Sequence, residues 1–109
     1  MRDVLTVNTR RDGTYEQVRA LLSPAGREFI DAMGAKIDRE MVRLTDAERH
    51  QVKLHGAREL ADMEVREGPI DPAYARKQAA EWELEVQAKA RAAEQAREAA
   101  RASAPLLPA

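Results

Sequence analysis

From Pro72 to Ala102 the chain runs without a glycine or an internal proline, and alanine, glutamate, glutamine and arginine supply most of its residues. These residue types lose little on entering a helix, and summed over so long a window their preference predicts one continuous helix. Asp71 followed by Pro72 marks the start: a side-chain oxygen accepts from the free amides of the first turn, and the proline ring occupies a position where no N–H is needed. At ~1.5 Å of rise per residue the helix would be about 45 Å long, longer than a compact domain of this size is wide. Part of it is expected to project.

Within that stretch Glu81–Val86, EWELEV, alternates charge and bulk as a half-buried strand does. No turn residues bound it, and the flanking helix formers outweigh six residues of alternation. Read as helix, the alternation means two apolar sides. Trp82 and Val86 share a face with Ala75, Ala79, Ala93 and Ala100, whereas Leu84 points nearly the other way with Ala80 and Ala88. Positions 79, 86, 93 and 100 recur every seven residues, but three are alanine and Lys89 interrupts the seam, which makes a poor zipper.

Upstream, Asp3–Thr9 is rich in β-branched residues and is followed by Gly13. A lone strand lacks a ladder partner, so this segment either pairs with another chain or lies over helices as an extended arm, the reading preferred here. Thr14 can cap a short helix with Val18, Leu21 and Leu22 on one side. Ser23-Pro24 opens the clearest amphipathic element, running to about Arg43, with Phe29, Ile30, Met33, Ile37, Met41 and Leu44 at spacings of three and four. Gly34 on this helix offers room for a close neighbour. Thr45–Glu48, TDAE, is a capping box that starts another helix, which stops at Gly68-Pro69. That helix is again apolar on two sides: Ala47, Leu54, Ala57, Ala61 and Val65 on one, and Val52, Gly56, Leu60 and Met63 on the other. The predicted organisation is all-α, about four helices: an extended arm over 1–13, a small helical body over 14–70, a long helix over 71–103, and a Pro/Leu tail over 104–109.

Composition narrows the function. With 109 residues, 44% hydrophobic but only 4% aromatic, the chain can build one thin core and no deep cleft. A net charge of −1 gives no field that would draw it to nucleic acid or an anionic membrane. The absence of cysteine removes thiolate metal sites and cysteine nucleophiles and fits an intracellular or intravirion setting better than a secreted one. No apolar run reaches the ~18 residues needed to span a bilayer, so a soluble protein is expected.

Catalytic material is sparse. His55, Glu59 and Asp62, with Glu48 on the same side, have spacing that can ligate a divalent metal, but polar residues must occupy the outside of any helix. His50 is five positions from His55 and off its face. Ser23 is better explained as a cap than as a nucleophile, and Glu81, Glu83 and Glu85 as a solvated face. Arg10-Arg11 has no aromatic platform beside it. No catalytic, cofactor or metal site is therefore assigned. The interface candidates are Leu60, Met63 and Val65 on the fourth element and Trp82, Leu84 and Val86 on the last, with Leu106 and Leu107 in the tail. Trp82 is the ambiguous member: a core residue would anchor the last helix on the one bearing Met33, Ile37 and Met41, leaving Leu84 to face outward.

The stretch VRALLSPAGREFIDAMGAKI, about a fifth of the chain, resembles the opening helices of phage neck and tail-completion proteins, though the glycine-rich strands of that family do not follow it here. The resemblance implies a small structural or assembly component of a phage particle. LSPAGREF is also similar to a segment of winged-helix regulators, without their recognition helix or wing. The expectation is a non-enzymatic subunit of a larger assembly, partnered by other protein chains or copies of itself; a small regulator binding a host protein or nucleic acid is the alternative.

Overall fold

The computed structural model describes residues 9–103, which form five α-helices: α1 Thr9–Asp12, α2 Tyr15–Leu21, α3 Pro24–Glu40, α4 Asp46–Glu67 and α5 Pro72–Ser103. Among the described residues there is no strand, as the all-α expectation requires. Residues 1–8 of the anticipated arm, and the tail with Leu106 and Leu107, lie outside the described residues. The extended reading of 1–13 is corrected at its end, where Thr9–Asp12 make one helical turn. Long side chains from α4 hold that turn: Arg58 donates to the Gly13 carbonyl at 3.0 Å, and Asp62 accepts from Arg10 at 3.1 Å.

Local signals start the helices as anticipated. Thr14 and Gln17 close a capping box on α2, Thr45 and Glu48 close one on α4, and the Ser23 hydroxyl accepts the Gly26 amide above Pro24 on α3. Asp71 accepts the Tyr74 amide at 2.9 Å to open α5. At Gly68 the chain leaves α4 with φ +91°, a conformation that a side chain disfavours. The third helix stops at Glu40, three residues before the anticipated Arg43. Arg49 explains this, since its guanidinium donates to the carbonyls of Met41 (3.0 Å) and Leu44 (2.6 Å), satisfying acceptors that a further helical turn would otherwise engage.

Helix α3 is central. It runs antiparallel to α4, with Asp38 beside Lys53 at 2.6 Å near one end and Gly26 beside Glu64 at the other. It runs parallel to α5, because Lys36 meets Glu85 and Glu40 meets Lys89, both pairs advancing along the two helices together. Helix α2 packs on α4, and α1 on both. The core comprises Val18, Leu22, Ile30, Leu54, Leu60 and Ile70 with the small residues Ala25, Ala57, Ala61 and Ala75. Gly56 of α4 takes the tip of the flexible Met33 side chain, which an added Cβ would have to displace, whereas at Gly34 an added Cβ would find ordinary contacts from 3.6 Å outward. The molecule is elongated, 81 × 30 × 15 Å with a radius of gyration of 19.8 Å, against about 13 Å for a compact domain of this length.

Candidate interaction surface

Helix α5 falls into two halves that differ in what supports them. In the first, Ala75 is fully buried, Trp82 is half-buried and Val86 is buried against α3. Phe29 organises this contact: the Trp82 ring meets it edge-on at 5.0 Å, and Tyr74 stacks on it at 6.3 Å. Small residues, Ala32 and Ala35 on α3 and Ala79 on α5, border the remaining space between the helices. Ion pairs flank the seam, Arg39–Glu83 at 3.4 Å and Lys36–Glu85 at 3.3 Å. At the end of α3 the Glu40 carboxylate lies between Lys36 (2.9 Å) and Lys89 (3.1 Å), whose hydrogen bonds hold its carboxyl below the ordinary range.

The second half has no such support. Every residue from Gln87 to Ser103 is exposed, because α3 ends at Glu40, level with Lys89. At ~1.5 Å per residue this is about 25 Å of helix running past the body. Ala93 and Ala100 continue the stripe of Ala79, Trp82 and Val86, and where α5 leaves α3 a groove of about 490 Å³ opens between Arg39, Glu40, Val86, Lys89, Ala90 and Ala93.

The anticipated interface residues separate accordingly. Leu60 (6% exposed) and Val86 (9%) are buried within the chain, and Met63 packs partly buried on the core. Trp82 lies half-buried at the α3–α5 seam on Phe29, which belongs to the same helix as Met33 and Ile37. Val65 (66%) and Leu84 (62%) are exposed on different helices and are not brought together in one patch. Sequence reasoning missed Met41 and Val42, which are exposed on the α3–α4 connection beside the departure of α5. Met41 reads as a continuation of the α3 stripe, and only the early end of that helix releases it; the capping box at Thr45, whose cap residue is itself extended, was the available signal.

The other candidate chemistry is absorbed by structure. Glu48 closes its capping box and Asp62 pairs with Arg10, while His55 and Glu59 are exposed. Among the described residues no three His, Cys, Asp or Glu side chains gather as a metal would require. Ser23 both caps α3 and donates to Glu64 at 2.6 Å. A polar groove of about 560 Å³ brings Tyr15, His50, Asp31, Asp38 and Lys53 together, a grouping spread over three helices that no local spacing announces. The rings of Tyr15 and His50 lie 5.9 Å apart; burial, and then the nearby Asp31 carboxylate, pushes the Tyr15 phenol up, so it stays protonated. Asp31 is held by Arg19 (2.6 Å) and Asp38 by Lys53 (2.6 Å), which leaves these two carboxylates paired. Among the described residues no helix is long and apolar enough to cross a membrane. Comparison with protein-family models, with curated proteins and with solved structures finds no match.

Proposed function

We propose that this chain is a non-enzymatic helical subunit of a larger protein assembly, with α5 as the arm that engages a neighbour. One observation carries the reading: a 32-residue helix of which residues 87–103 are all exposed, with Lys89 reaching Glu40 where α3 ends. Most helical stability in proteins comes from the packing of an apolar face rather than from propensity. A helix face continued well past its intramolecular support therefore fits a partner helix, and the large apolar side chains of Leu84 and Val42 lie exposed. The narrower version, a repeated component of a phage particle, rests on the resemblance of residues 18–37 alone.

Light scattering on the full chain and on a chain ending at Ala90 tests the proposal. The full chain is expected to associate with rising concentration, and the shortened chain to remain a single copy with the α1–α4 body folded. A single-copy mass for both at every concentration, with the distal helix fully formed, would overturn it in favour of a monomeric regulator.

A further inference from the structure

The start of α3 and the turn before α5 meet at one carboxylate near the end of α4. Glu64, in the last turns of α4, accepts the Ser23 amide at 2.9 Å, the Ser23 hydroxyl at 2.6 Å and the Ile70 amide at 2.9 Å. Ser23 is the N-cap of α3 and its hydroxyl in turn accepts the Gly26 amide at 3.0 Å. Ile70, buried in the core, is the penultimate residue before α5. The carboxylate thus sits over the N-terminus of α3, where the helix dipole favours negative charge, and ties that end to the α4–α5 turn. Gly26 makes room for it, since a Cβ there would lie 2.9 Å from Glu64 Oε2.

We propose that Glu64 is an acid-released latch that sets the docking of α5 on α3. While charged, it holds the α4–α5 turn against the start of α3; once protonated it loses the capacity to accept all three donors, the turn is freed, and α5 separates from α3 while α1–α4 stay folded. The energetics of the site follow from its surroundings. Burial works against the charge, but the Ser23 hydroxyl, the Ile70 and Ser23 amides and the nearby Arg27 outweigh it and hold the carboxyl below its ordinary range. A carboxyl depressed in the folded state stabilises that state above its unfolded pKa, and the stabilisation is lost as pH falls through the lowered value. The latch is therefore closed at neutral pH and opens in acid. The other charged groups around it are Arg10 of α1, which borders the same groove and is tied to Asp62 of α4, and Asp71 of the turn, whose carboxylate is engaged by the Tyr74 amide. Helix α2 contributes Leu21 and Leu22 there and no charge. The proposal concerns the pose of α5 and not what α5 binds, so it stands or falls separately from the assembly reading.

Trp82 is the sole tryptophan and lies on Phe29 at the α3–α5 seam, so its emission reports docking while far-UV ellipticity reports total helix. In an acid titration of the dilute full chain, the Trp82 emission is expected to shift to the red before the ellipticity of the body is lost. Glu64→Gln, neutral at every pH, is expected to show the shifted emission already at neutral pH and to lose that titration step. Gly26→Ala improves the helix propensity of α3 but displaces the carboxylate. It should retain or raise ellipticity while moving the Trp82 transition to higher pH, which a merely structural role for residue 26 would not do. Wild-type emission and an unchanged acid transition in either folded variant would overturn the latch. So would simultaneous loss of emission and ellipticity in the wild-type chain.

Discussion

Helices α4 and α5 start from the same difficulty, apolar residues on more than one side, and meet opposite outcomes. Helix α4 lies between α3 and α2, so Leu54, Ala57, Leu60 and Ala61 are all buried, and only Val65 among its larger apolar residues is left well exposed. Helix α5 has α3 alone. Its Ala75–Val86 face is covered, Leu84 on the reverse is not, and beyond Lys89 the covering helix has ended. The difference teaches that two apolar stripes specify two partners without specifying whether the partners belong to the same chain. For α4 the short helix of residues 15–21, which looks dispensable in sequence, is the second partner.

Substitutions that act on the two helices unequally can break or sharpen this comparison. The largest effect is expected from Ile30→Ala, because Ile30 is fully buried on the central helix that both α4 and α5 use. A loss of about 2–5 kcal/mol in urea unfolding, shared by every helix, is the expected outcome; a loss confined to one helix would mean that the two do not depend on a common core. Trp82→Ala removes a half-buried ring from the α3–α5 seam alone and is expected to cost about 2–3 kcal/mol, toward or below the low end for large aromatic truncations. Its specific signature is faster amide exchange through residues 75–86 with α4 protection retained. If α4 loosens as much as α5, the division of the molecule drawn here is wrong. Smallest is Leu84→Lys, on the uncovered side, which should leave stability within about 0.5 kcal/mol. In light scattering the same change should weaken any association through that side of α5; a large loss of stability would place Leu84 inside a contact within the chain.

The parts legible in the sequence were those set by local chemistry. Ser23-Pro24, Thr45–Glu48 and Asp71-Pro72 each place a helix start because a cap, with a first-turn proline at two of them and a capping-box glutamate at the other, acts within four residues. The two-sided pattern of EWELEV correctly separated Val86, which is buried, from Leu84, which is exposed. Less legible was anything requiring a distant side chain. The early end of α3 depends on Arg49 reaching back to Met41 and Leu44, and the turn at Thr9–Asp12 on Arg58 and Asp62 from α4. Gly26, Ser23, Glu64 and Ile70 assemble only when α3, α4 and the final turn come together, so no spacing marks Glu64 as more than one glutamate among many. The parallel run of α5 along α3, which decides how much of α5 is left bare, is equally a property of the whole fold.

Hydrogen–deuterium exchange along α5, followed from dilute to concentrated protein, addresses the central claim most directly. In the dilute single chain, amides of residues 91–101 are expected to exchange far faster than those of residues 75–86, and to gain protection as copies associate. Protection in residues 91–101 equal to that of 75–86 in a sample held strictly to single copies would contradict the account, since the distal half of α5 would then be stable without a neighbour.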